Sequence, residues 1–136
     1  MRAFLGFIGA LVLMFSLGGI WNAVLMQDFY LAYSPTNILP PEDFSITSIA
    51  LGYIVLTAIM TFIVVQNFNE NPKFVGGFMF GGTFGLAATL PLYLILYGRW
   101  DISLTYILVD SAWHVFEQGL GGALLCWLYY RGTKND

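Results

Sequence analysis

The chain has 136 residues, of which 58% are hydrophobic, 18% aromatic and 10% charged, and its formal charge is −3. A soluble domain carries about 25% charged residues to cover its surface, so this composition argues for an apolar surrounding medium, as does the mean hydropathy of +0.74. The acidic balance leaves no basic face for a phosphate backbone and argues against nucleic-acid binding.

Four apolar runs follow one another, at residues 3–26, 46–66, 74–97 and 103–130. About 20 helical residues span a bilayer core, and lipid offers backbone groups no partner, so each run is expected to be a transmembrane helix. The expected fold class is all-α: a polytopic, antiparallel bundle of four transmembrane helices forming one domain over residues 1–136.

The first run is expected to be a retained helix and not a signal peptide. Its apolar stretch exceeds the usual length of about 7–15 residues, and no small-x-small cleavage pattern follows. It carries Gly6, Gly9, Ala10 and Gly18, with Trp21 and Asn22 about one turn below its far end. Residues 27–45 read as the one long loop, holding Pro35, Pro40 and Pro41. Pro41, Glu42 and Asp43 suit the first turn of the second helix, where acids favour the positive end of the dipole. Asn71 and Pro72 read as the cap and first position of the third helix, and Gly98 as its end. Asp101 is expected to cap the fourth helix and Gly132 to close it. The short links at 67–73 and 98–102 predict antiparallel neighbours.

Arg2, Lys73, Arg131 and Lys134 fall on one side of this topology. Arg99 falls on the other, with Asp28, Glu42, Asp43 and Asp101. Positive charge marks the cytoplasmic side, so both termini are expected there, in the cell's inner or plasma membrane. Tyr30, Tyr33, Tyr97 and Trp100 then form one aromatic belt, and Trp127, Tyr129 and Tyr130 the other. The lone Cys126 cannot form an internal disulfide.

The third run places Gly77, Gly81 and Gly85 at i, i+4 and i+8, a smooth stripe where another backbone can approach closely. It is read as a packing surface, either for the first helix or for a partner chain. Pro91 is expected to bend the helix beyond it.

The fourth run places Asp110, His114 and Glu117 at i, i+4 and i+7, on one face. An Asp at the membrane centre costs roughly 2.5–3.5 kcal/mol on insertion scales, so this face should point into the bundle. Three readings stay open. One is a structural network with Asn22, Gln27 or tyrosines. The second is a pocket for a proton, an ion or a small ligand at Asp110, His114 and Glu117, with Asn22 sharing its outer half and Glu117 deeper, near the midplane. The third is a metal or haem site. Di-iron bundles need Glu-x-x-His on two helices, and a single histidine excludes a bis-His haem, so no metal and no cofactor is expected. No nucleophile elbow, phosphate loop or dinucleotide fingerprint occurs. Ser111 beside Asp110 lacks the geometry of a triad, and the chain is expected not to be an enzyme.

The order of features is a Trp at the end of the first run, Phe29-Tyr30, a glycine-rich third run, Trp100 before the fourth and Val109-Asp110-Ser111-Ala112-Trp113 within it. It resembles small bacterial four-helix membrane-protein families catalogued as domains of unknown function. The Val109-Asp110-x-x-Trp113 segment is the most specific part. The chain departs from that pattern at His114, where a glycine is usual, and at Gly18, where an acid is usual. It also has Ala87-Ala88-Thr89-Leu90-Pro91 in place of a polar stretch. The resemblance implies a four-helix membrane fold and no activity.

The expected function is that of an accessory or scaffolding membrane protein. Its partners would be membrane lipids together with a second copy of itself or a larger membrane complex. The alternative is a binding or transport module using the polar face of the fourth helix.

Overall fold

A computed structural model describes residues 1–33, 43–68, 70 and 72–131. All the regular structure among them is helical: α1 (Arg2–Ile20), a π-helical turn (Trp21–Leu25), α2 (Gln27–Tyr33), α3 (Ile46–Asn67), α4 (Lys73–Tyr97) and α5 (Leu104–Tyr130).

The first run is not one straight helix. The Met26 N–H reaches back five residues to the Trp21 carbonyl at 2.8 Å, and Met26 leaves helical geometry at φ −121°. The chain re-enters a helix at Gln27, so the expected long loop begins with α2. Seven residues are too few for a stable isolated helix, and α2 is held instead by contacts with α5. Serine hydroxyls cap two later helices. Ser45 Oγ accepts from the Ser48 N–H at 3.2 Å, and Ser103 Oγ accepts from the Tyr106 N–H at 3.0 Å. Thus Asp101 is not the cap of α5, and α3 starts three residues after Asp43. Pro72 itself occupies the N-cap position of α4, and Gly98 ends that helix as expected. The expectations for Pro41, Glu42, Asn71 and Gly132 lie outside the described residues.

α5 is the axis of the molecule. α4 and α1 pack along it, α3 packs on α1 and only grazes α5, and α3 and α4 share no substantial contact. The short link therefore does not make α3 and α4 packed neighbours; they flank a cleft. The cause lies in the small residues. A Cβ added at Gly77 would sit 2.9 Å from the Ala123 Cα, one at Gly85 2.5 Å from the His114 carbonyl oxygen, and one at Gly81 on top of the Gln118 carbonyl. Gly122 returns the fit, since its Cβ would lie 2.5 Å from the Gly77 carbonyl oxygen. The α4 stripe lies against α5, and not against the first helix. On α1, Gly6 and Gly9 also face α5, through Leu125 and Leu128. α3 has no such stripe, and nothing holds its backbone against α4.

Ala10, Met14, Met60, Val64, Leu125, Cys126 and Tyr130 fill the core. Large apolar side chains such as Phe4, Val12, Ile54, Phe62, Val75 and Ile95 stand exposed on the outside, which suits an apolar solvent. Three helical segments are long and apolar enough to cross a membrane: Arg2–Leu25, Ile46–Asn67 and Lys73–Tyr97, with mean hydropathies of 2.2, 2.4 and 1.6. α5 is not one of the three, because ionisable, amide and glycine residues dilute its apolar content.

Candidate functional site

The face of α5 that the spacing of Asp110, His114 and Glu117 defines is turned inward, and the structure brings the three together. His114 lies between the two carboxylates. Its Nε2 is 3.3 Å from Asp110 Oδ2, and its Nδ1 is 3.4 Å from Glu117 Oε2. Glu117 is completely buried and Asp110 nearly so. An imidazole between two carboxylates, engaging each through a different nitrogen, is an arrangement that neutralises buried charge. Among the described residues, no three His, Cys, Asp or Glu side chains are placed to hold a metal ion.

Tyrosines from three other helices complete the cluster. Tyr30 of α2 and Tyr93 of α4 donate to Asp110 Oδ1 and Oδ2, each at 2.6 Å. Tyr53 of α3 donates to Glu117 Oε1 at 2.8 Å. Burial and the Asp110 carboxylate push the Tyr30 phenol well up from its ordinary range, so it stays a proton-bearing donor. Trp21 fixes Tyr30 from above: its Nε1–H donates to the Tyr30 hydroxyl at 2.9 Å. Its ring stacks on Trp113 with centroids 4.1 Å apart. Gln118 follows Glu117, and its Nε2 lies 3.4 Å from His114 Nδ1.

Asn22 is not part of this cluster. The π-helical turn brings Trp21 onto α5 and leaves Asn22 exposed, its Nδ2 donating to the Gly18 carbonyl at 2.9 Å. Asn22 lines a separate cavity of about 350 Å³ between α1 and α3, with Gln27, Phe15 and Tyr53. Ser111 Oγ is buried without a hydrogen-bond partner, so no base touches it. The sequence named Tyr30 only for an aromatic belt and beside Phe29, and did not single out Tyr53, Tyr93 or Gln118. Gln118 was within reach, since it stands four residues from His114 on the same side of the helix. The tyrosines come from other helices and carry no mark of that distant contact.

His114 and Gln118 also form the floor of the cleft between α3 and α4. This cavity of about 270 Å³ has Ile49, Gly52 and Leu56 on one wall and Ala88 and Thr89 on the other. Its walls are apolar apart from Tyr53 and Thr89, whose hydroxyls are already bonded, to Glu117 and to the Gly85 carbonyl.

Gly18 gives the Tyr53–Glu117 bond its room. A Cβ there would lie 2.7 Å from Glu117 Oε1 and would overlap the Tyr53 hydroxyl. Gly18→Ala is therefore expected to break this bond, at a cost of about 1–3 kcal/mol for a buried group left unpaired. Tyr53→Phe, which removes the colliding oxygen, is expected to recover part of that loss. Thermal unfolding of the two single variants and the double variant in detergent checks this, and strictly additive losses would contradict it.

No protein-family model matches the chain, and neither does a characterised protein or a solved structure. The resemblance to small four-helix families rests on the sequence residues alone.

Proposed function

We propose that this chain is a non-catalytic, four-spanning integral membrane protein that acts as a binding module. It takes a small hydrogen-bonding molecule from the bilayer onto the polar face of α5. α5 is the fourth span in this reading. At 27 residues it measures about 40 Å, enough to cross a bilayer. Its low apolar content is no obstacle, because α1, α2 and α4 cover most of its polar face and leave only the cleft between α3 and α4 open to the bilayer, at His114 and Gln118. The basic residues at the two termini and at Lys73 support a cytoplasmic placement of both chain ends.

The observation that carries the binding reading is the position of His114 and Gln118. They are polar, they sit on the buried cluster, and they floor a cleft whose walls are apolar. Polar groups facing acyl chains are costly, so a molecule that satisfies them gains affinity. A second reading has one observation of its own. A Cβ added at Gly52, on the cleft wall, would meet nothing within 4 Å. That leaves room for a further helix from a second copy or a larger membrane complex, as an accessory subunit would need.

Native mass spectrometry of the protein released from nanodiscs tests both readings. A bound small molecule retained by the wild type and lost in His114→Ala supports the module. A dimer or a foreign subunit at that position supports the accessory reading. A bare monomer in both proteins would count against each.

A further inference from the structure

The polar groups of α5 are distributed unevenly about its midpoint, which is Glu117. Toward Leu104, successive turns carry His114 and Asp110, and Asp110 is bonded to Tyr30 and Tyr93. Toward Tyr130, the helix is sealed for about 20 Å. Beyond Gln118 it offers Gly121 under Met14, Leu125 beside Gly6, and Cys126 beside Gly77. Trp127 stands exposed on the outside, and the next hydroxyls on α5 are those of Tyr129 and Tyr130, of which Tyr130 donates to the Phe68 carbonyl. α3 adds Thr57 and Thr61 to that half, but both hydroxyls donate back to carbonyls of α3, at 2.7 and 2.8 Å.

We propose that Tyr30, Asp110, His114 and Glu117 form a one-sided proton path. It loads and unloads the Glu117 carboxyl from the α2 end of the bundle only. The inference rests on α5's polar face being a working face and not merely a structural network. A proton from water is taken on the Tyr30 oxygen as its own proton passes to Asp110 Oδ1. The Asp110 carboxyl, now neutral, turns to bring that proton to His114 Nε2. His114, uncharged and carrying its own proton on Nδ1, releases that one to Glu117 Oε2, so Asp110 returns to the carboxylate as Glu117 becomes the neutral acid. One proton enters and one arrives. Glu117 is built for this end position: Oε1 is anchored by Tyr53, and Oε2 has no hydrogen-bond partner apart from its 3.4 Å contact with His114. The groups that face it are Tyr53 from α3 and His114 from its own helix, with Asp110 and Tyr93 of α4 one step behind. α1 contributes Gly18 and, a turn further on, Met14. A path that stops at the midpoint exchanges protons without conducting them.

The test uses the full chain reconstituted with one orientation in vesicles. Isotope-labelled glutamate, with Glu42→Gln and Glu70→Gln, leaves Glu117 as the only labelled side chain for infrared spectroscopy. A pH step on the α2 side is expected to change the Glu117 carboxyl band at least tenfold faster than a step on the opposite side. Asp110→Asn is expected to slow the fast response at least tenfold at unchanged helix content. Proton leak should match protein-free vesicles. Equal rates from both sides, no response from either, or a response indifferent to Asp110→Asn would each overturn the proposal. The readout needs no bound molecule, so its failure leaves ligand capture in the cleft standing. Loss of that capture likewise leaves this readout intact.

Discussion

Gly81→Ala is expected to prevent α4 from seating on α5 and to abolish recovery of folded protein. An added methyl would overlap the Gln118 carbonyl oxygen, and it would stand 2.7 Å from the carbonyl carbon and 3.1 Å from the Gly119 Cα. All three are main-chain atoms, so no side-chain rotation relieves the clash and the two helices must separate. Overpacking a core costs about 1–3 kcal/mol and sometimes more. Separation also forfeits the many small dispersion contacts along the glycine stripe. Gly52→Ala is the control. Nothing lies within 4 Å of its added Cβ, and the better helix propensity of alanine is expected to leave stability unchanged or raise it by up to about 1 kcal/mol. Size-exclusion profiles and thermal midpoints in one detergent check both. A Gly81→Ala protein as stable as wild type would show that α4 and α5 do not meet there.

The α4 stripe was legible because a helix repeats its faces every three or four residues. Gly77, Gly81 and Gly85 announce a close approach whatever the partner. The partner itself was not legible. α1 and α5 both offer glycines, and only the assembled structure shows Gly122 and Ala123 meeting α4 while Gly6 and Gly9 rest on another side of the same helix. The same division holds for the site. Asp110, His114 and Glu117 share a face by spacing alone, so their convergence could be read from one helix. Tyr30, Tyr53 and Tyr93 reach them from up to 80 residues away in the chain, and a tyrosine in an apolar run looks no different whether it faces lipid or a carboxylate. Asn22 failed for a local reason. The argument that placed it beside Asp110 assumed an unbroken α-helix, and the five-residue turn at Trp21 changed which residue faces α5. Seven residues of α2 gave too short a pattern to reveal a helix. The cap of α5 falls two residues beyond the expected Asp101 because the Ser103 hydroxyl stands where the chain enters the helix, and α3 is capped by Ser45, for which no cap was expected.

Asp110→Ala is expected to be the most damaging change within the polar cluster. The carboxylate accepts from Tyr30 and Tyr93 and lies against His114. Its removal leaves two phenolic donors and one imidazole nitrogen facing a small cavity with no acceptor. Breaking a buried pair by deleting one partner costs about 3–5 kcal/mol, because the remaining charge or donor stays buried. Asp110→Asn should cost much less. Its carbonyl oxygen still accepts from one tyrosine, and its amide can donate to the other hydroxyl, which then turns to accept. The Trp21–Trp113 stack gives an independent local reading, since Trp21 is tied to Asp110 through Tyr30. In Asp110→Ala, α2 should loosen and the tryptophan fluorescence should shift toward that of exposed indole. In Asp110→Asn the emission should stay near wild type. A double-mutant cycle with Tyr93→Phe then assigns the share of that bond, with a coupling of about 0.5–3 kcal/mol expected for contacting residues. If Asp110→Ala unfolds at the wild-type temperature with unchanged emission, Asp110 does not anchor α2 or α4, and the cluster is not what holds this end of the bundle together.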